Sequence, residues 1–169
     1  MDLPTLNGLD RAEFIDVLGG VFEHAPWVAE AAWTARPFAS VDALHEAMLG
    51  AVRAAPEERQ MALLRGHPEL AGQEAQEGVL TAESTGEQNR LGFTRLSRDE
   101  FDLMQRINAA YREKFDMPCI VALRLHPTRQ SVQAEMQRRL ALTRDEEIDN
   151  NLDQVGHITR GRLDQILAG

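Results

Sequence analysis

Two short segments of the chain carry side chains that could transfer a proton and bind a small polar molecule. In the first, residues 66–70, His67 stands directly before Pro68 among turn-forming residues. Because histidine titrates near neutral pH, its imidazole can donate or accept a proton under physiological conditions. Pro68 fixes the following backbone and has no N–H to donate there, which would hold the imidazole at the mouth of a loop. The alternative is a structural histidine that caps the preceding helix.

The second segment, residues 84–88, offers hydroxyl, carboxylate and amide groups within five positions. The spacing of Ser84 and Glu87 matches a capping box, in which each side chain accepts a hydrogen bond from the other's backbone amide. In a functional interpretation, the amides at this helix start face an anionic or carbonyl ligand. Glu87 would then accept hydrogen bonds from ligand N–H groups, and Gln88 would both donate and accept. Spacing alone leaves both interpretations open.

Two arginines near the end of the sequence could bind a carboxylate. Arg160 and Arg162 lie near the end of a predicted helix, where a cation complements the helix dipole. An arginine directed into a pocket could instead pair with a carboxylate through two parallel hydrogen bonds. Arg162 adjoins the apolar Leu163, whereas Arg160 lies between Thr159 and Gly161, so the spacing does not choose between them.

Motifs for other common chemistries are missing from the sequence. None of the five histidines has another histidine four residues away, so the helical zinc signature does not occur. The single cysteine, Cys119, excludes an internal disulfide framework and a multi-cysteine zinc site. The sequence contains no phosphate-binding Walker motif, no dinucleotide fingerprint and no Gly-x-Ser-x-Gly elbow.

Composition and charge limit the partners. The 169 residues include 27 acidic and 18 basic side chains, a formal net charge of −9, which argues against non-specific binding to a phosphate backbone. No apolar run approaches the roughly 20 residues that span a bilayer, and the N-terminus lacks the pattern of a signal peptide. We therefore expect a soluble cytoplasmic protein with a small-molecule substrate and neither a nucleic-acid nor a membrane partner.

Periodicity and capping residues predict helices along nearly the whole chain. The exception is residues 118–123, an apolar run without an evident partner strand, which we interpret as a buried extended connector. Its backbone groups must find hydrogen-bond partners, and a ligand could be one of them. We expect an exposed loop over residues 72–78 and one all-α helical bundle, a single domain over residues 1–169. The predicted helices begin after Asp10, Ser40, Pro56, Ser97 and Thr143, with a further helix over residues 130–142 and a left-handed helix end at Gly66.

Several short elements, each weak alone, form a specific set because they occur in a fixed order over almost the whole chain. This set resembles that of the 2-oxo-4-hydroxy-4-carboxy-5-ureidoimidazoline (OHCU) decarboxylases, which act in the ureide branch of purine breakdown. A departure is Arg160-Gly161, where a glycine interrupts the last helix. The matching elements are Leu6-Asn7, Ala35-Arg36-Pro37-Phe38, residues 66–70 and 84–88, Leu91, Asn108-Ala109-Ala110-Tyr111, Phe115 with Pro118, and Arg162-Leu163.

The resemblance implies an all-helical homodimer that uses no metal and no organic cofactor. It implies that His67 is the proton-transfer residue, that the Ser-x-x-Glu-Gln motif and the late arginine contact substrate, and that the extended segment supplies backbone contacts. On this basis His67 and Glu87 are the expected catalytic residues. The expected substrate-binding residues are Pro68, Ser84, Thr85, Gly86, Gln88, Cys119, Ile120, Val121, Ala122, Leu123 and Arg162.

The activity implied by the resemblance is that of a carbon–carbon lyase that converts OHCU to (S)-allantoin in urate degradation. Such a reaction needs no cofactor, because the ring carbonyl and nitrogen system of OHCU can delocalise the electron pair left by carbon dioxide. Two alternatives stay open at this point. The same scaffold could act on a related ureide acid, or the chain could be a non-catalytic helical interaction module whose two motifs serve as caps. Whether His67 acts as acid or base is also open.

Overall fold

The structure is a computed structural model that describes residues 1–72, 75 and 77–168. All regular secondary structure in these residues is helical, which confirms the all-α prediction. Of the predicted exposed loop over residues 72–78, residues 73, 74 and 76 lie outside the described ranges. The prediction was wrong for Gly72, which is buried, and for residues 75 and 77, which are helical. The α-helices are α1 (Leu3–Gly8), α2 (Arg11–Leu18), α3 (Trp27–Ala32), α4 (Val41–Ala54), α5 (Glu57–Arg65), α6 (Ala82–Arg90), α7 (Arg98–Phe115), α8 (Arg129–Arg139) and α9 (Arg144–Ile166), and Trp33–Ala35 and Leu123–Leu125 are 3-10 helices.

Helices begin directly after the predicted capping residues Asp10 and Thr143. Asp10 accepts a hydrogen bond from the amide of Glu13 at 2.9 Å, and the Glu13 carboxylate accepts one from the Asp10 amide at 3.0 Å. Thr143 and Glu146 form the same reciprocal pair at the start of α9. Each pair satisfies amide donors that lack a partner in the first helical turn.

The end of α5 differs from its predicted conformation. The helix ends at Arg65, as expected, but Gly66 has a φ of −74° and is right-handed. Its N–H donates to the carbonyls of Ala62 and Leu64. The prediction of a left-handed cap was therefore wrong, because these carbonyls are reached without a reversal of the backbone.

The described chain forms two compact units. The first consists of Met1–Gly66 and the chain from Gly156 onward, and the second of His67–Val155. Helix α9 starts in the second unit and ends in the first. The interpretation of residues 1–169 as one domain stays a prediction.

In the first unit, two elements of the family resemblance bind each other. The Asn7 amide donates to the carbonyl of Phe38 at 2.9 Å and accepts from its N–H at 2.8 Å. The Arg36 guanidinium donates to the carbonyls of Asn7 and Leu9 and stacks on the ring of Trp33, 3.0 Å from its centroid. These contacts give Asn7 and Arg36 a structural role.

In the second unit, α7 carries a stripe of buried apolar side chains. Met104, Ile107, Tyr111 and Phe115 recur at helical spacing and are at most 4% exposed, as an amphipathic helix requires. Asn108, next to Ile107 in the middle of this stripe, is polar and also buried. In the described residues, no helix is long and apolar enough to cross a membrane.

Candidate active site

His67 lies in a loop that directly follows α5. We call residues 67–72 the His-Pro loop. His67 and Glu69 are partly exposed, whereas Pro68 and Leu70 are buried, so the loop is anchored by alternate apolar side chains. Glu69 is further held by an ion pair with Arg112 of α7. The anchored backbone keeps the imidazole of His67 at least partly accessible to solvent.

Gln88 of α6 binds the backbone of the His-Pro loop. Its Oε1 accepts a hydrogen bond from the N–H of Ala71 at 3.0 Å, and its Nε2 donates to the carbonyl of Glu69 at 3.4 Å. The side chain is 2% exposed. The Gln88 amide predicted to contact substrate therefore uses its donor and its acceptor to join α6 to the loop that carries His67.

The second predicted motif lies inside a helix, not at its start. Thr81 is the N-cap of α6, and its hydroxyl accepts from the amide of Ser84 at 3.2 Å. The capping-box interpretation of Ser84 and Glu87 was therefore wrong. Ser84 and Gln88 are four residues apart and buried on one face, whereas Thr85 and Glu87 are partly exposed and Gly86 is exposed.

Residues 118–123 form the predicted buried connector. Cys119, Ile120, Val121, Ala122 and Leu123 are each at most 4% exposed, and only residues 123–125 at the end of the segment adopt a helical turn. This confirms an extended apolar segment in an otherwise helical chain.

Side chains of α9 and α8 supply hydrogen-bond partners for the connector. The amide of Asn151 accepts from the N–H of Ile120 at 2.9 Å and donates to the carbonyl of Pro118 at 3.0 Å. Gln154 accepts from the N–H of Ala122 at 2.9 Å, and Arg139 donates to the carbonyl of Ile120 at 2.6 Å. The protein itself thus provides partners that the sequence analysis left open to a ligand.

Arg139 is the centre of this buried polar network. It is 1% exposed, and its guanidinium donates to Glu147 at 2.7 Å and to Asn151 at 2.7 Å as well as to Ile120. Glu147 also accepts from the hydroxyl of Tyr111 at 2.6 Å. Burial, together with the bond to Glu147, raises the pKa of Tyr111 far above its ordinary value, so the phenol stays neutral and serves as a donor.

The thiol of Cys119 is not activated. Burial is the main cause that raises the pKa of Cys119 to about 12. Because the thiolate is the nucleophilic form, this cysteine does not act as a nucleophile near neutral pH. Its predicted contribution to the site is therefore through its backbone and its apolar surface.

The two late arginines have different surroundings within the first unit. Arg162 is 3% exposed and pairs with the buried carboxylate of Glu23 at 3.0 Å, while also donating to the carbonyl of Val21 at 3.1 Å. Arg160 is partly exposed and pairs with Asp42 and Asp164. Arg160 is thus a surface residue with acidic partners, and Arg162 is the buried one.

The predicted residues of the second unit are linked through α6. Gln88 joins this helix to the His-Pro loop, and Arg90 donates to the carbonyl of Leu123 at the end of the connector. The segments with His67, Glu87 and residues 119–123 are therefore neighbours in one unit. Arg162 belongs to the other unit.

Sequence reasoning missed several buried polar residues that support these segments. Glu23 and Arg139 carry no recognisable signal, since Arg139 follows the exposed Arg138 in a run of polar residues. Asn108 stands in the family pattern but received no role, and Gln105 lies three residues before it. That spacing, on one face of a helix, is the signal that could have identified them as a pair. Across residues 1–72, 75 and 77–168, no group of three or more His, Cys, Asp or Glu side chains could hold a metal ion.

Comparison with known proteins identifies the family. The OHCU decarboxylase family model matches residues 7–164. The OHCU decarboxylase of Mus musculus is 39% identical over 168 residues, which cover 99% of this chain and 94% of the mouse protein. The OHCU decarboxylase of Haloferax volcanii is 39% identical, with 96% of this chain and 94% of the relative covered.

A solved structure shares the fold. The crystal structure of an (S)-allantoin synthase superimposes with a TM-score of 0.79 at 26% identity and covers 99% of this chain and 54% of the other. Sequence and fold lead to the same result over nearly the full length. The chain belongs to the OHCU decarboxylase family.

Proposed function

We propose that this protein is a carboxy-lyase that converts OHCU to (S)-allantoin in urate degradation. The observation that carries the proposal is the family match over residues 7–164. It is supported by the arrangement within the second unit, where Gln88 joins the His-Pro loop to the helix of Glu87. The His-Pro loop carries the residue proposed for proton transfer, and α6 carries residues proposed to bind the substrate.

The chemistry asks little of the protein beyond orientation and one proton. The bond between the hydroxyl-bearing ring carbon and its carboxylate breaks, carbon dioxide leaves, and the electron pair delocalises into the C=N bond of the neighbouring ureido-bearing carbon. One proton then adds to one face of the ureido-bearing carbon, the hydroxyl proton passes to the ring nitrogen as that oxygen becomes the ring carbonyl of allantoin, and solvent restores the proton donor. Orientation and stabilisation of developing charge are effects that a fixed polar site supplies. The stereochemistry of allantoin follows from the face that is protonated.

His67 is the proposed proton-transfer residue, and Glu87 is proposed to fix the imidazole or the ureido N–H groups of the substrate. Both side chains are partly exposed, so neither is closed off from solvent. Arg162 is proposed, from the family resemblance, to bind an anionic oxygen of the substrate; in the structure its guanidinium pairs with Glu23 and donates to the carbonyl of Val21. The other proposed substrate contacts are Pro68, Ser84, Thr85, Gly86, Gln88 and residues 119–123.

We further propose that the active form is a cytoplasmic homodimer without a metal or an organic cofactor. The proposal rests on the family to which the chain belongs. Analytical ultracentrifugation of the purified chain would measure its mass in solution, and a monomer at the concentrations used for turnover would contradict the dimer.

The direct test is turnover of freshly generated OHCU followed by circular dichroism of the allantoin formed. Spontaneous decay gives a racemate, so a signal of one sign reports stereoselective catalysis. We expect His67→Ala to lower kcat by at least the roughly 10²-fold typical of lost acid–base catalysis. The helical far-ultraviolet spectrum should be unchanged.

His157→Ala is the matched control, because it removes an exposed imidazole from α9. This variant should turn over OHCU at the wild-type rate. Near-normal stereoselective turnover by His67→Ala would remove His67 from its role. Racemic product from the wild type would contradict the proposed function as a whole.

A further inference from the structure

We propose that Asn108 and Gln105 of α7 are positioning residues that hold the His-Pro loop, and with it His67, in the conformation required for proton transfer. The proposal rests on the proposed function only for the catalytic role of His67. The placement of the loop is argued from contacts within the second unit alone. Neither residue is assigned a role by the family pattern considered above.

Three successive carbonyl groups of the loop accept hydrogen bonds from side-chain amides. Gln88 of α6 donates to Glu69 at 3.4 Å, Asn108 donates to Leu70 at 2.8 Å, and Gln105 donates to Ala71 at 3.0 Å. A loop outside regular secondary structure needs such partners for its buried backbone groups. Side chains of α6 and α7 supply these partners for three consecutive residues of the loop.

The two residues of α7 act from one face. Gln105 and Asn108 are three positions apart, so their side chains project from neighbouring points of the helix surface. They bind successive carbonyls of the loop and thereby fix its direction as well as its distance from α7. One hydrogen bond would leave the loop free to pivot, whereas two adjacent bonds from a rigid helix do not.

The backbone conformation they hold is a strained one. Ala71 has a φ of +51°, in the left-handed region that residues with a Cβ adopt at a cost. Such conformations persist where surrounding contacts determine them, and they are frequent at functional sites. Both the N–H and the carbonyl of Ala71 are held by side chains, those of Gln88 and Gln105.

The burial of Asn108 costs folding free energy. Asn108 is 2% exposed, and its Oδ1 is buried with no hydrogen-bond partner in the described part of the chain. An unsatisfied buried acceptor loses its hydration without compensation, and each such group calls for an explanation. The Nδ2 donor of Asn108 is needed at the carbonyl of Leu70, and the unsatisfied Oδ1 of the same amide is the consequence.

A displacement of the Leu70 carbonyl would also move the side chain of His67. The two residues are three positions apart, and the intervening Pro68 is buried and has a fixed φ. A shift of the carbonyl of Leu70 is therefore passed along a short and stiff backbone to the imidazole. A misplacement of about 1 Å can lower a rate by about 10²-fold.

Kinetics of Asn108→Ala and Gln105→Ala test the proposal, with Gln60→Ala as the matched control. Gln60 also donates its side-chain amide to backbone carbonyls, those of Val52 at 2.9 Å and Arg53 at 3.2 Å, but in the first unit. We expect kcat to fall about 10- to 100-fold in the two α7 variants, with KM changed less than about threefold. Gln60→Ala should keep the wild-type kcat even if its Tm falls as much as the Tm of the two α7 variants. An unchanged kcat in both α7 variants would overturn the proposal.

A measurement without substrate separates this proposal from the proposed function. Protein labelled with ¹³C-histidine gives ring resonances for the five histidines, and the His67 resonance is assigned by its loss in His67→Gln. Asn108→Ala and Gln105→Ala should shift or broaden the His67 resonance and leave that of the exposed His157 unchanged. If the wild type does not turn over OHCU, the proposed function fails, and the resonance still decides the positioning role. If Asn108→Ala does not fold, Gln105→Ala still tests the proposal in both the kinetics and the resonance measurement, because Gln105 is partly exposed. An unchanged His67 resonance in Gln105→Ala would then overturn the positioning role.

Discussion

Single residues of the 84–88 motif in α6 differ in their burial and in what they contact. Ser84 and Gln88 are buried, and the side-chain amide of Gln88 binds the backbone of the His-Pro loop. Glu87 and Thr85 stay partly exposed, and Gly86 is exposed between them. Because 3.6 residues make one helical turn, five consecutive residues of a helix point in different directions. Within the motif, Gln88 therefore binds the loop, whereas Thr85, Gly86 and Glu87 are accessible to solvent.

Gly86 offers a test of this division. A Cβ at Gly86 would meet no atom within 4 Å, so Gly86→Ala should raise the free energy of unfolding by about 0.5–1 kcal/mol, as alanine replaces glycine inside a helix. We also expect KM for OHCU to rise severalfold, since the methyl group would keep the substrate from the Gly86 backbone. Chemical unfolding and steady-state kinetics measure the two effects.

The matched control is Gly50→Ala. Gly50 lies inside α4, and a Cβ there also meets no atom within 4 Å. The control should gain similar stability without a change in KM. An identical KM in both variants would remove Gly86 from the substrate-binding residues.

At the scale of an element, the connector of residues 118–123 depends on a buried ion pair. Arg139 and Glu147 are 1% and 0% exposed. Removing one partner leaves the other charge buried without compensation, which costs about 3–5 kcal/mol. We expect Arg139→Leu to lose about this much stability, as measured by urea unfolding.

The double variant Arg139→Leu/Glu147→Leu tests the cause. It leaves no uncompensated charge, so we expect it to be more stable than the single variant even though the connector loses a hydrogen bond at Ile120. A single variant within about 1 kcal/mol of the wild type, the usual range of a surface substitution, would show that the pair does not hold the connector.

The sequence predicts those parts of the elements that depend on neighbours in the chain. The caps at Asp10, Ser40 and Thr143 are readable because both partners of each hydrogen bond stand within three residues. The start of α6 was misplaced because Thr81 and Ser84 both resemble caps. Only the burial of Ser84 and Gln88 against distant residues decides between the two starts.

The support of the site could not be predicted for a similar reason. Arg139 binds residues 8 to 19 positions away, and Asn108 binds Leu70 at a separation of 38. No local pattern encodes such pairs. The resemblance to the family supplied the proposed catalytic and binding residues, whereas the residues that bind their segments required the structure.

For the whole molecule, one histidine links stability to pH. His45 lies in the first unit, where its Nε2 is 3.0 Å from the hydroxyl of Thr159. Burial, followed by the positive charge of Arg160, lowers the pKa of His45 below its ordinary value of 6.5, although Asp164 and Asp42 oppose the shift. The folded state therefore binds fewer protons than the unfolded state just below pH 6.5, so stability falls as the pH is lowered through this range.

We expect Tm to fall between pH 7.5 and pH 5.5, and to fall less in His45→Gln than in the wild type. Thermal unfolding followed by circular dichroism measures both. His157→Gln replaces an exposed histidine and should retain the wild-type dependence. The same decrease in wild type and His45→Gln would assign the pH sensitivity to other groups.

The left-handed backbone at Ala71 restricts which mutations this chain can accept over evolutionary time. The residue is fully buried and held at its N–H and its carbonyl, so a larger side chain would have to displace the atoms around it, and a β-branched one would not tolerate the backbone angle. Glycine would fit the angle but would make the unfolded chain more flexible. Alanine is thus a compromise between fit and rigidity, and neutral drift at this position is confined to the smallest amino acids.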